Sequence, residues 1–94
     1  MYLSSQELQI GQFVKSKAGR DKGHVMIIIG RVDEQHVLVV DGDLRKLEKP
    51  KKKKVRHLVK FGALDVEIQS AINDGKPIMN AWLHKKINDR LISD

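Results

Sequence analysis

The chain has 94 residues, enough for one domain with a buried core, and it contains no cysteine, which excludes disulfides and thiolate metal sites. Charged residues make up 32% of the sequence and the formal net charge is +6, which favours a polyanionic partner. The longest unbroken apolar run, Val25 to Ile29, is far shorter than the roughly 20 residues of a membrane span, and residues 1–7 do not resemble a secretory signal. We therefore expect a cytoplasmic protein that does not bind membranes.

The first sixty residues are typical of β structure after a short lead-in over residues 1–11. In the lead-in, Ser4 or Ser5 could cap a helical turn that Gly11 ends. Strands are predicted at residues 12–17, 24–32, 36–40 and about 55–60, with loops at 33–35 and 41–43. Several short strands with closely spaced turns favour a small barrel. The predicted fold is therefore mainly β with an α extension.

From residue 63 the apolar residues recur at helical spacing. Leu64, Ile68 and Ile72 predict a first helix, which Asn73-Asp74-Gly75 ends. Pro77 suits the first turn of a second helix. The predicted apolar stripe of that helix comprises Ile78, Trp82, Ile87 and Leu91. The opposite face is predicted to be basic, with Lys85, Lys86 and Arg90. Because residues 25–29 and 37–40 are apolar on both faces, we expect the helices of residues 61–94 to cover the outside of the sheet, with a partner surface as the other candidate.

A charged loop over residues 16–23 joins the first two predicted strands. Gly19 and Gly23 can adopt positive φ and allow close approach of another backbone, and Asp21 can accept hydrogen bonds from nearby backbone amides. Arg20 and Lys22 would then lie at the rim. We expect this rim to face the phosphate backbone of RNA and to fix its register.

The entire positive excess lies in residues 45–60, where nine cations stand against Glu48. Such segregation of charge indicates a polyanionic partner rather than a need for solubility. The four lysines at 51–54 are either a solvated loop or a set of phosphate contacts, and the neighbouring Arg45-Lys46 favours the contacts. The run also resembles a nuclear localisation signal. Lysines act on phosphates as point charges, so no readout of base sequence is predicted.

These segments resemble a known family. Phe13 to Val39 resembles a KOW motif, in which Gly23 falls at the eleventh position when Phe13 is counted first. Residues 16–23, together with the run 40–53 and the following His57-Leu58, resemble the archaeal and eukaryotic large-subunit ribosomal proteins of the fourteen-e type and their short bacterial relatives. The resemblance covers about residues 10–60.

The resemblance implies an SH3-like barrel over residues 12–60 that binds ribosomal RNA and acts in translation. It implies RNA contacts from Lys17, Arg20, Lys22 and His24 in the loop, and from Arg45, Lys46 and Lys51 to Lys54 in the basic segment. With adjacent cations and the loop glycines, the candidate RNA-binding residues are Lys15, Lys17, Gly19, Arg20, Lys22, Gly23, His24, Arg45, Lys46, Lys49, Lys51, Lys52, Lys53, Lys54 and Arg56.

Other functions have less support in the sequence. The four histidines are too scattered to predict a metal site, and no arrangement typical of catalysis is present, so we expect a non-enzymatic protein without a cofactor. The four aromatic residues do not form a base-stacking pattern, which favours structured RNA as the partner, and Trp82 is predicted to be core. We expect a monomer when the protein is free, with ribosomal RNA and ribosomal proteins as partners. The alternative is a KOW-type protein-interaction module of the transcription or translation machinery, using Trp82 and the doubly apolar strands.

Overall fold

Five strands in one antiparallel sheet and two helices form the fold, seen in a computed structural model that describes residues 8–92. The elements are β1 Phe13–Ser16, β2 Val25–Asp33, β3 His36–Val40, β4 Lys51–Lys54, a 3₁₀ turn Val55–His57, β5 Leu58–Lys60, α1 Val66–Asn73 and α2 Asn80–Ile92. The strand order is β4-β3-β2-β1-β5. The predicted combination of β structure with an α extension is confirmed. Among the described residues β4 and β5 are the two edges of the sheet, so a closed barrel is not formed by strand pairing.

The two faces of the sheet are both buried, as the doubly apolar strands predicted. Val14 pairs with Met26 on one face, and Phe13 pairs with Ile27 on the other. The first face is buried among strand residues, Leu8 and the 3₁₀ turn: Leu8, Val14, Met26, Ile28, Val37, Val39, Val55 and Leu58. The second face packs against the helices through Phe13, Val25, Ile27, Val40, Ile68, Leu83 and Ile87. The C-terminal helices therefore cover this face of the sheet.

The predicted strand positions agree with the structure where apolar residues define them. β3 has the predicted bounds, and β2 begins and ends one residue later than predicted. The segment predicted as a strand over about 55–60 is instead a 3₁₀ turn followed by the three residues of β5. In the lead-in, the helical turn predicted from Ser4 or Ser5 through Leu8 lies almost wholly outside the described residues, and Ile10 and Gly11 form a turn.

Helix α1 is defined by local signals. The Asp65 carboxylate accepts a hydrogen bond from the backbone N–H of Ile68 at 3.0 Å, which satisfies one of the amides left unpaired at a helix start. Its single fully buried residue is Ile68, which packs against the sheet. The helix ends at Asn73, as Asn73-Asp74-Gly75 predicted.

Helix α2 differs from the prediction in its start and in part of its buried face. It begins at Asn80, three residues after Pro77, and it buries Leu83 and Ile87. Leu91 of the predicted stripe is 48% exposed, and Trp82 is only partly buried. Ile87 of the predicted stripe is buried, and Ile78 and Trp82 pack against the same core cluster, so Leu91 is the one member that is misplaced and Leu83 is the buried residue that was missed.

Two cations predicted for the outer face of α2 instead lie towards the sheet and α1. Lys86 Nζ is 3.1 Å from Asp65 Oδ2 and also contacts Glu67, and the Arg90 guanidinium stacks on the Phe13 ring at 3.8 Å from its centroid. Long cationic side chains can lay their aliphatic stems along apolar surface while the charged group finds a polar partner. The charge of Lys86 and Arg90 predicted that both side chains lie on the outer face of α2, and this prediction was wrong.

Candidate nucleic-acid interface

The loop between β1 and β2 is closed by its own backbone. The N–H of Gly23 donates to Ser16 O at 2.7 Å, and the N–H of His24 donates to Asp21 O at 2.8 Å. Gly19 and Gly23 have φ of +76° and +87°, so both adopt the positive φ that was predicted for them. Arg20 and Lys22 are exposed. The loop therefore presents two cations outward from a tightly turned backbone.

The carboxylate of Asp21 has a different role from the predicted one. Only 7% of this side chain is exposed, and it contacts cations of the basic segment: Lys51 Nζ at 2.9 Å, Arg45 Nη2 at 3.4 Å and Lys53 Nζ at 3.7 Å. Burial raises the pKa of Asp21, but the three cations outweigh burial and hold the pKa below its ordinary value of 3.8. The loop and the basic segment, which are separated in sequence by β2 and β3, thus meet at one carboxylate.

The lysine run is a strand rather than a loop, which sequence reasoning missed. As β4 it pairs with β3, placing Lys51 and Lys53 opposite Val39 and Val37, and Lys52 and Lys54 opposite Leu38 and His36. Because side chains alternate along a strand, consecutive lysines point to opposite faces. Lys51 and Lys53 point towards Asp21, whereas Lys52 and Lys54 are exposed.

Lys53 is the predicted RNA contact whose environment departs most from the expectation. It is 8% exposed, and besides approaching Asp21 it donates a hydrogen bond to the backbone oxygen of Ala18 at 3.3 Å. Burying a charge is costly unless the charge is paired and hydrogen-bonded, and Asp21 and Ala18 supply these partners. Lys53 therefore holds the loop between β1 and β2 and does not present its charge at the surface. Arg45 and Lys51 are intermediate, with side chains 35% and 31% exposed.

The remaining predicted residues lie at the surface. Exposed members of the predicted set are Lys15, Lys17, Gly19, Arg20, Lys22, Gly23, His24, Lys46, Lys49, Lys52, Lys54 and Arg56. Among the ion pairs found within residues 8–92, none involves a lysine or arginine of this group. Apart from Lys15, whose ammonium lies 5.6 Å from the centroid of the Phe61 ring, these exposed cations are available to solvent.

His57 belongs to this basic surface, although the sequence left its role open between a packed ring and a phosphate contact. Its backbone oxygen accepts a hydrogen bond from the N–H of Lys17 at 2.9 Å, which joins the start of the loop to the 3₁₀ turn. Burial lowers the pKa of His57, and the charges of Arg56, Lys53, Lys54 and Lys17 lower it further. The signal in the sequence was its position directly after the basic run.

The segment before β4 is held in place by polar contacts. The Asp41 carboxylate accepts hydrogen bonds from the backbone N–H groups of Asp43 and Arg45, both at 2.8 Å. Asn80, at the start of α2, accepts from the N–H of Leu47 at 2.8 Å and donates to Glu48 at the same distance. These contacts fix residues 41–48 against the helical extension, so Arg45 and Lys46 project from an ordered backbone.

The described residues were also compared with the features of metal sites and membrane spans. Within residues 8–92 no group of histidine, aspartate and glutamate side chains is arranged to hold a metal ion. No helix in this range combines the length and apolar character needed to cross a membrane. In comparisons with known proteins, no protein-family model matches the sequence, and no curated protein is significantly similar to it.

Proposed function

We propose that this chain is a non-enzymatic RNA-binding protein of the KOW type that binds structured RNA, with ribosomal RNA as the expected partner, in the ribosome or associated with it. The observation that carries the proposal is the junction at Asp21. There the loop between β1 and β2, residues 17–24, meets the basic segment of residues 45–60. Each of them suggested phosphate contacts by itself, and we propose that they form one surface.

Besides the number of strands, the burial of one face of the sheet supports the proposed SH3-like barrel. The face containing Val14, Met26 and Val37 is buried although neither helix contributes to it. A five-stranded sheet can bury such a face by curling over it, as small barrels do. We propose that the sheet with its 3₁₀ turn between β4 and β5 is the SH3-like barrel that the resemblance implies.

The distribution of side chains favours backbone recognition of a folded RNA. Phe13 is buried, Phe61 is partly buried beneath Lys15 at 5.6 Å, and Trp82 lies against Lys86. The described residues therefore offer no row of exposed aromatic rings on which successive bases could stack. Lysines and arginines at fixed positions can instead match the phosphate spacing of an RNA helix or junction.

A salt titration tests the electrostatic basis of the proposal. If five to eight phosphates are contacted, the logarithm of affinity should fall with the logarithm of salt concentration at a slope of about −4 to −7. Binding of large-subunit ribosomal RNA, measured by fluorescence anisotropy over a range of KCl concentrations, gives this slope directly. A slope near −1 would contradict a phosphate-dominated interface.

Charge reversal with a matched control locates the interface. Lys52→Glu/Lys54→Glu alters two exposed cations of β4, and Lys76→Glu/Lys85→Glu alters two exposed cations of the helical extension. Both double variants change the net charge by the same amount. We expect the β4 variant to lose about tenfold or more in affinity and about two units of salt slope, and the control to lose much less. Equal losses would show that only the total charge matters.

The protein-interaction alternative would have to use a different surface from the predicted one. The doubly apolar strands are buried on both faces, and Trp82 packs partly against the core. If both double variants retained RNA binding and the β4 variant lost a protein partner, the alternative would be supported.

A further inference from the structure

Asp21 is a nearly buried carboxylate in the middle of the surface proposed to bind RNA. A negative charge there opposes the attraction of phosphates, so its presence is not explained by electrostatic affinity. The contacts of Asp21 suggest a structural role instead. Its carboxylate lies 2.9–3.7 Å from Lys51, Arg45 and Lys53, while its own backbone belongs to the loop. The carboxylate is a cross-link between two segments that each carry exposed cations.

We propose that Asp21 is a positioning residue that fixes the loop of residues 17–24 on β4 and thereby determines which RNA fold the surface accepts. The inference rests on the proposed function and deepens it. Arg20 and Lys22 are the immediate neighbours of Asp21, and Lys52 is the immediate neighbour of both Lys51 and Lys53. Holding Asp21 against β4 therefore sets the distance between the outward cations of the loop and those of the strand.

The contacts of Lys53 strengthen this cross-link. Its ammonium lies near Asp21 and also donates to the backbone oxygen of Ala18, so the buried lysine holds two points of the loop at once. Removing the Asp21 charge would leave a buried ammonium without a counter-charge, which is costly, so Lys53 would turn towards solvent. The loop would then lose its contacts with β4 and keep its hydrogen bonds to Ser16 of β1 and the hydrogen bond from Lys17 to His57.

Attraction and positioning predict opposite outcomes for Asp21→Asn. The substitution adds one unit to the net charge of +6, so attraction alone predicts tighter binding to every RNA. Positioning predicts that binding to unstructured RNA is retained or increased while the preference for folded RNA is lost. Asp43→Asn is the matched control, because Asp43 is an exposed carboxylate of the neighbouring turn and forms no ion pair with Arg45, Lys51 or Lys53 among the described residues.

The experiment compares the full chain with Asp21→Asn, Asp21→Glu and Asp43→Asn. The probes are large-subunit ribosomal RNA and poly(U) at equal nucleotide concentration, each titrated at several KCl concentrations. We expect Asp21→Asn to reduce the ratio of the two affinities by about tenfold or more, as for the loss of a hydrogen bond to a charged group. Asp21→Glu should restore part of the ratio, and Asp43→Asn should leave it unchanged.

The outcomes separate this inference from the proposed function. If Asp21→Asn matches Asp43→Asn on both RNAs, positioning by Asp21 is refuted and RNA binding stands. If the unaltered protein shows no salt-dependent binding to either RNA, the proposed function itself fails. If Asp21→Asn does not fold, Lys53→Met is the alternative variant. It removes the ammonium that contacts Asp21 and Ala18 and keeps a side chain of similar volume. It should lower the affinity ratio in the same direction, and an unchanged ratio would overturn the inference.

Discussion

Gly42→Ala should detach helix α2 from the sheet. Gly42 lies in the turn after β3 with φ of +79°, and a Cβ at this position would lie 2.2 Å from the Asn80 carbonyl oxygen and 2.9 Å from the His84 nitrogen. Both are backbone atoms of α2, so no side-chain rotation can relieve the contact. The helix or the turn must move as a unit, and the packing of Leu83 on the sheet moves with it.

The cost has two parts. A non-glycine residue in the left-handed region costs about 1–2 kcal/mol, and forcing an extra carbon into a packed contact costs about 1–3 kcal/mol. The free energy of unfolding should therefore fall by about 2–5 kcal/mol. At roughly 4–8 °C per kcal/mol for a domain of this size, the melting temperature should fall by roughly 10–40 °C.

Gly75→Ala is the matched control for backbone strain alone. Gly75 has φ of +68°, but an added Cβ would meet no atom within 4 Å, so only the cost of the left-handed conformation, about 1–2 kcal/mol, applies. Thermal unfolding followed by circular dichroism measures both variants, and the emission of Trp82, the only tryptophan, reports on α2. If Gly42→Ala were as stable as Gly75→Ala, the close packing of the turn against α2 would be wrong.

Two further predictions concern charged groups. Lys86 is 24% exposed and pairs with Asp65 and Glu67, and although burial lowers its pKa, these carboxylates raise it above 10.5. Lys86→Met should therefore cost about 1–2 kcal/mol in urea unfolding, whereas Lys85→Met, at a 74% exposed site, should cost less than about 0.5 kcal/mol; equal costs would contradict the buried pairing. The lowered pKa of His57 means that the unfolded chain binds more protons near pH 6, so stability should fall as the pH falls through 6.5. A phosphate bound beside His57 would raise this pKa, so NMR titration of the ring should shift upward with RNA, and an unchanged titration would exclude a phosphate there.

The segments that the sequence predicted best are those in which local signals and apolar spacing agree. His36–Val40 is a run of branched apolar residues between two turns, and it forms β3 with those bounds. The end of α1 was predicted from Asn73-Asp74-Gly75, and its cap at Asp65 is a local contact. Positive φ was predicted at Gly19 and Gly23 because glycine tolerates it, and both residues have positive φ.

The predictions that failed depend on partners distant in the chain. Four consecutive lysines have little tendency to form a strand by themselves, and Lys51–Lys54 becomes β4 because the edge of β3 offers backbone partners. In α2 the basic face was misplaced because Lys86 pairs with Asp65 and Arg90 stacks on the Phe13 ring, and the helical period reveals neither partner.

The same distinction applies to the candidate interface. By itself the sequence determined that the positive excess lies in residues 45–60 and that a glycine-rich loop carries Arg20 and Lys22, because charge and glycine content are properties of the chain. Only the tertiary structure decided that Lys53 is buried while Lys52 and Lys54 are exposed, and that Asp21 joins the loop to β4. The physical reason is that strand alternation assigns each lysine to a face, whereas the pairing of strands determines which carboxylate that face meets.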